Sequence, residues 1–285
     1  MTAQLINGKL ISAQIKEEAA KEAVQIKEQG VTPCLAVVLV GNDSASKVYV
    51  RNKKQACEAV GIRSVSYELD GETTEEELLG LVAQLNDDEG VHGILVQMPL
   101  PKQINEEKII LAIDAKKDVD CFHPMNVGLL HTGGKGFLPC TPAGIIELIQ
   151  RSGHTIQGKN CVVIGRSNIV GKPVAMLLMR ENGTVTVCHS KTRNLAEVCK
   201  RADIIVSATG KMHTVTADMV QAGAVVIDVG MNRNEAGKLC GDVDFEQVKE
   251  VAGAITPVPG GVGPMTIAML MKNCLVAAKM QNHLM

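Results

Sequence analysis

The chain has 285 residues, enough for a sizeable core and, at roughly 100–200 residues per domain, for two domains. With 29 basic and 31 acidic residues its formal charge is −2, and no strongly basic block offers the footprint of a nucleic-acid binder; a small-molecule ligand fits better. The nine cysteines are odd in number, contain no CxxC pair and mostly sit inside apolar runs such as "CLAVVLVG" and "CVVIG", as buried thiols of a reducing compartment do.

The opening segment "MTAQLINGKLISAQIKEEAAKEAV" carries glutamates and lacks both an apolar signal core and an Arg-rich, acid-poor transit composition. No apolar stretch reaches the ~20 residues of a membrane span. The expectation is a cytoplasmic protein without a membrane partner. "CLAVVLVG" then reads as a strand, followed by a helix from Ser44 to Val60 that stops at Gly61. At ~100° per residue, Val48, Tyr49, Val50, Ala56, Cys57, Ala59 and Val60 share one arc of that helix, and Lys47, Arg51, Lys54, Gln55 and Glu58 the opposite one. Lys53 falls on the apolar arc, one turn after Tyr49, whereas Lys54 lies with the solvated charges. A lysine on a poorly solvated face is suited to proton transfer, although a snorkelling lysine covering apolar surface satisfies the same pattern.

"IRSVSYELD" and "VHGILVQMPL" are the next strands, separated by a helix that opens with the capping box Thr74-x-x-Glu77 and ends near Gly90. A short helical stretch from Asn105 leads into "DAKKDVDCFHPMNVGLLHTGGKGFLPCTP", which is rich enough in Gly, Pro and polar residues to predict a long irregular segment serving a binding site or joining domains. "TPAGIIELIQRSG" reads as a helix capped by Thr141 with Pro142 at its first position. Strands "CVVIG", "TVTVCHS", "DIIVSATG", "AVVIDVG" and "GAITP" follow, with helices beginning near Ile169, Asn194, Ala217 and Asp244. A Gly/Pro-rich turn precedes the last helix, "PMTIAMLMKNCLVAAKM", which is expected to pack back on the first domain. This alternation predicts an α/β protein with parallel sheets.

"KNCVVIGRSNIVGKPVAMLLM" is strand, glycine turn and helix, the arrangement that aims backbone N–H groups at phosphates. Its glycines, Gly165 and Gly171, depart from G-x-G-x-x-G, and alone they fit a tight strand-to-helix turn as well. About 20 residues on, where NAD proteins place a ribose-binding acid, the chain offers Ser190, Lys191 and Thr192. Hydroxyls and cations, with Arg166 nearby, favour a 2′-phosphate and hence NADP. His123, His131 and His189 lack metal-ligand spacing, and no metal is expected.

Eight ordered segments, "SASKVYVRNK", "GILVQMPLP", "KDVDCFHPMNVG", "PCTPAG", "GRSNIVGKP", "TVTVCHSKT", "DVGMN" and "TPVPGGVGPMT", span essentially the whole chain. Through them the sequence resembles the bifunctional methylenetetrahydrofolate dehydrogenase/methenyltetrahydrofolate cyclohydrolase family. The resemblance implies two α/β domains flanking a cleft: a folate-binding catalytic domain over 1–140 plus 265–285 and a Rossmann-like NADP-binding domain over 141–264. It also implies NADP as cofactor, tetrahydrofolate one-carbon derivatives as substrates and a homodimer formed through the cofactor domains. By motif, Lys53 is the catalytic lysine, Gln97 its hydrogen-bonding partner, Tyr49 a residue stacking on the folate and Asp120 the anchor of the pterin. Ser46, Met98, Pro99, Leu100, Pro259, Gly260 and Gly261 line the folate site. Thr141, Gly165, Arg166, Ser167, Ile169, Ser190, Thr209, Gly230 and Met231 take the cofactor.

Three places depart from the family pattern: Cys121 stands for the usual glycine after "KDVD", Met231 for isoleucine in "DVGMN", and "GKMHTV" for a proline-containing version. The residues by themselves leave room for an NADP-dependent dehydrogenase of an unrelated small substrate, or for a folate- or nucleotide-binding protein without turnover.

Overall fold

A computed structural model of the chain describes residues 2–284. The chain divides into two compact units. The first comprises Gln14–Cys140 with Ile267–Met285, and the second Thr141–Thr266 with Met1–Ala13. Thus the opening strand β1 (Gln4–Leu5) and the start of helix α1 (Gly8–Glu28) group with the later half of the sequence.

In the first unit, β2 (Cys34–Val40) is buried along its whole length, as befits an apolar run covered on both faces. Helix α2 (Ser44–Val60) follows, opened by Asp43, whose carboxylate accepts the Ser46 N–H at 2.7 Å, and closed by Gly61 at φ 84°. A left-handed stop of this kind is where glycine serves best. Next come β3 (Arg63–Leu69), α3 (Glu75–Asp87), β4 (Gly93–Val96) and α4 (Glu106–Ala112). The strands form a parallel sheet of order β3-β2-β4. The capping box expected at α3 is present, with Thr74 and Glu77 bonding each other's main chain. Leu78, Val82 and Leu85 from that helix pack beneath β2 and β4, each such burial being worth about 1.5–3 kcal/mol.

The segment expected to be irregular contains a helix, α5 (Pro124–Thr132). His123 caps it by accepting the Met125 N–H on Nδ1, and Pro124 occupies its first turn. Helix α6 (Cys140–Arg151) also differs from expectation: it starts before Thr141, which lies inside it rather than capping it.

The second unit runs through β5 (Asn160–Ile164), α7 (Gly171–Arg180), β6 (Thr184–Cys188), α8 (Leu195–Cys199), β7 (Ile204–Ser207) and β8 (Val225–Asp228). The helix expected near Ala217 is one 3-10 turn, Ala217–Met219. A two-residue hairpin, β9 (Asn232–Arg233) and β10 (Leu239–Cys240), precedes α9 (Phe245–Val248) and β11 (Ala254–Ile255). The long helix α10 (Val262–Gln281) begins within the glycine-rich turn that sequence alone placed ahead of it. The strands form one six-stranded parallel sheet, order β1-β11-β8-β7-β5-β6. From β5 the chain moves outward to β6 and then returns to β7 on the other side. Strand order therefore reverses between β5 and β7, the switch point at which such sheets bind ligands.

Among the described residues no helix is long and apolar enough to cross a membrane. All nine cysteines are free thiols.

Candidate active site

Helix α2 of the first unit buries a row spaced by four and three residues: Ser46, Val50, Lys53, Cys57 and Val60. The row is narrower than the arc expected from sequence, because Val48 and Ala59 are exposed. Lys53 is only 8% exposed, whereas Lys54 is exposed, so the two neighbours differ as helical phase predicts. The Lys53 ammonium donates to Gln97 Oε1 at 3.0 Å, and the Gln97 amide in turn donates to the Met98 carbonyl at 2.7 Å. Held at its NH₂ end, the amide presents its oxygen to the lysine. The Gln97 main chain is fixed by donating to Val38 O at 2.8 Å, one step beyond the β2–β4 pairing. Tyr49, one turn before Lys53, is half-buried, and burial pushes its phenol up.

Asp120 is half-buried beside this pair. Burial pushes its carboxyl above the usual range; the Lys53 ammonium pulls it back, Asp118 adds repulsion, and the Cys140 thiol lowers it from 3.9 Å. The loop before it is fixed from both sides. Lys117, buried, donates to the carbonyls of Leu85, Asn86 and Asp88 at 2.7–2.9 Å and closes the C-terminal end of α3. Asp118 accepts from the main chain of Phe122 and His123 and from the Asn126 amide. From α10, Asn273 donates to Val119 O and Leu138 O at 2.7 and 2.8 Å. Cys121 takes φ 63°, the left-handed region in which a glycine costs nothing. Met98, Pro99 and Leu100 continue from Gln97 around a cis Met98–Pro99 bond, and Pro99 is exposed.

The second unit carries the remaining predicted residues. Gly165 ends β5 at φ 125°, and a Cβ there would lie 2.2 Å from Ala208 O, in the loop after β7. A Cβ on Gly171 would meet Gly165 O at 2.3 Å. Both positions thus keep side chains out of the switch point, as a close backbone approach to a pyrophosphate requires. Ser167 Oγ accepts the Val170 and Gly171 N–H groups at 3.2 Å, just ahead of α7. Arg166, Ser167 and Ile169 are exposed beyond β5, and Ser190, Lys191 and Arg193 are exposed beyond the adjoining β6. This donor set, with three cations and no acid, suits a phosphorylated nucleotide. Thr141 Oγ1 shares a hydrogen bond with Thr266 Oγ1 at 2.9 Å. Thr209, Gly230 and Met231 lie on the loops after β7 and β8, Pro259 and Gly260 follow β11, and Gly261 presses its carbonyl against Gly8. His189 caps its own turn, Nδ1 accepting the Lys191 N–H.

Sequence reasoning passed over four buried polar residues that hold these loops: Lys117, Asn273, Asp228 and Asp242. The first was in plain view in "KDVD", read there only for its second acid.

A parallel sheet with a glycine turn at its switch point, in one chain with a buried lysine–amide pair, defines a nucleotide-dependent enzyme that also moves protons. Comparison with known proteins narrows the class. Residues 6–120 match the catalytic domain, and residues 139–282 the NAD(P)-binding domain, of tetrahydrofolate dehydrogenase/cyclohydrolase. The chain is 62% identical over 277 residues to the bifunctional protein FolD of Agathobacter rectalis, covering 97% of this chain and 99% of the relative. The crystal structure of FolD from Campylobacter jejuni superposes with a TM-score of 0.95 at 50% identity, covering 97% and 99%. That of the Trypanosoma brucei enzyme, complexed with NADP cofactor and inhibitor, gives 0.92 at 40% identity, covering 98% of each chain. The chain belongs to the tetrahydrofolate dehydrogenase/cyclohydrolase family. It is a methylenetetrahydrofolate dehydrogenase and methenyltetrahydrofolate cyclohydrolase, an oxidoreductase and a hydrolase in one chain.

Proposed function

We propose that both reactions use the Lys53–Gln97–Asp120 group, with NADP held at the β5–β7 switch point. The observation that carries this reading is the Lys53 amine, buried yet bonded to a neutral amide and facing a carboxyl. Bound there, NADP⁺ would supply the hydride acceptor for the methylene carbon that bridges N5 and N10 of the folate. Gly165 and Gly171 leave room for the pyrophosphate, Ser167 and the α7 N-terminus face it, and Arg166 with Ser190 takes the 2′-phosphate. Thr141, Ile169, Thr209, Gly230 and Met231 complete the cofactor residues.

In the hydrolysis, water attacks the methenyl carbon, one C–N bond breaks and 10-formyltetrahydrofolate results. Water gives up a proton and the departing nitrogen gains one. Lys53 is the group placed to move that proton, and Gln97 orients its amine without adding charge. Asp120, less acidic than an open aspartate, takes the pterin by hydrogen bonding, while Tyr49 offers its ring face; Ser46, Met98, Pro99, Leu100, Pro259, Gly260 and Gly261 line the folate site. Residues 14–140 with 267–285 form the folate domain, and residues 141–266 form the cofactor domain together with 1–13, not with the folate domain as the sequence alone suggested. A homodimer through the cofactor domains and a cytoplasmic location complete the proposal; the nine free thiols support a reducing compartment.

One coupled assay tests it: 5,10-methylenetetrahydrofolate with NADP⁺ should yield NADPH, followed by decay of the methenyl absorbance. NADPH formation with a persistent methenyl signal would remove the hydrolytic half. Equal turnover with NAD⁺ would remove the 2′-phosphate assignment, and light scattering decides the dimer.

A further inference from the structure

Asp242 follows β10 and is completely buried. Its Oδ2 accepts from Thr209 N at 2.7 Å, Thr209 Oγ1 at 2.9 Å, Gly210 N at 3.2 Å and Ser207 Oγ at 3.2 Å. Its Oδ1 accepts from the Asn232 amide at 2.9 Å, and that amide also donates to Gly241 O at 3.0 Å. The Asp242 N–H reaches Asp228 Oδ1 at 2.9 Å, on a carboxylate that also takes the N–H groups of Gly230 and Val243. A Cβ on Gly230 would lie 2.3 Å from Asp242 Oδ1, so the loop after β8 can press against this side chain only because residue 230 is glycine. One carboxylate thus holds the loop after β7 on one oxygen and the loop after β8 on the other.

We propose that Asp242 is a positioning residue of the cofactor site, fixing the Thr209–Gly210 and Gly230–Met231 loops relative to each other before the nucleotide arrives. This rests on the reading that those loops hold the nucleotide. The requirement for a carboxylate follows from the donors: five N–H or O–H groups converge, and an amide would turn an NH₂ against some of them. The loops bond to the anchor and not to one another through it, so weakening either oxygen frees one loop and leaves the sheet beneath intact. The cyclohydrolase reaction needs no nucleotide, which separates loss of positioning from general loss of fold.

The test is Asp242→Asn, read by NADPH fluorescence titration and by hydrolysis of methenyltetrahydrofolate without nucleotide. The NADPH Kd should rise about tenfold, the equivalent of one to two lost hydrogen bonds, while hydrolysis stays within about twofold of wild type. An unchanged Kd, or equal loss of both functions in a folded variant, overturns the proposal. Should Asp242→Asn fail to fold, Asn232→Ala decides, because it frees only the loop after β8; its Kd should rise about threefold. An unchanged Kd there is equally fatal. Met231→Asp separates the two readings. Met231 is 54% exposed, so the new carboxylate meets the nucleotide rather than the core. Weaker NADPH binding by Met231→Asp with none by Asp242→Asn sinks the anchor alone; no weakening in either sinks the cofactor loops with it.

Discussion

Two buried polar groups of this enzyme, one in each unit, are built on opposite plans. Around Lys53 a cation with three N–H donors makes one hydrogen bond, to an amide, and faces a half-buried carboxyl. Around Asp242 a carboxylate is filled by five donors and touches no cation within its set of bonds. A group with spare donors can exchange a proton or take a ligand atom. A group on which five donors already converge is placed to hold its neighbours rather than to react. Saturation, rather than burial, separates working polar groups from scaffolding here, since both are buried.

The largest effect should come from removing the unsaturated group. Lys53→Met keeps the stem's apolar packing and deletes the amine, so hydrolysis of methenyltetrahydrofolate should fall by about 10²- to 10⁴-fold, the usual worth of a general acid/base. NADPH affinity should not move, and the dehydrogenase should lose less, because hydride transfer depends mainly on positioning. Rapid hydrolysis by the variant would place the proton chemistry elsewhere.

Next comes a pH effect of opposite sign in the two units. Burial raises the Asp228 carboxyl to about 6, although the Asp242, Val243 and Gly230 N–H groups pull it down. A carboxyl raised on folding stabilises the fold fully below its unfolded value, near 3.8, and that contribution is lost as pH rises through about 6. Wild type should therefore lose about 2 kcal/mol relative to Asp228→Asn between pH 4 and 7, measured by urea unfolding. Glu77, in the capping box of α3, is lowered by the Thr74 N–H and hydroxyl. Its contribution is present above the ordinary glutamate range and lost as pH falls. A wild-type-to-Asn difference that stays flat across this range would mean that folding does not raise the Asp228 carboxyl.

The division between working and holding groups was only half legible in the sequence. Lys53 could be told from Lys54 because a regular helix maps residue number onto direction, and Gly61 and the Thr74 box marked helix ends by local chemistry. Helix α5 was hidden by its own composition: a histidine cap, a proline at its start and Gly128 within only nine residues. The two-residue strands β1, β9 and β10 are too short to show a period of two. Asp228 and Asp242 were harder still. Nothing in "DVGMN" or "GDVDF" singles them out, and apart from the Gly230 N–H their donors come from 10 to 35 positions away. Saturation is a property of three-dimensional convergence, so local sequence offers no sign of it.

The smallest prediction brings the comparison down to two helix starts. Asp43 caps α2, which carries Lys53, and Ser167 accepts two N–H groups just ahead of α7, beside the switch point. Asp43→Ala should cost about 1 kcal/mol of stability, the ordinary value of an N-cap, and Ser167→Ala about as much for its lost hydrogen bonds. Their ligand effects should part company. The Ser167 oxygen is occupied by the Val170 and Gly171 N–H groups, which leaves its hydroxyl hydrogen to donate, and a phosphate is the natural acceptor there. Ser167→Ala should therefore weaken NADPH severalfold in a fluorescence titration, on the scale of one hydrogen bond to a charged group. Asp43→Ala should leave NADPH untouched, because its unit contributes none of the cofactor residues proposed above. Equal NADPH affinities in the two variants would leave Ser167 only its bonds to the Val170 and Gly171 N–H groups, moving it from the working class to the holding one.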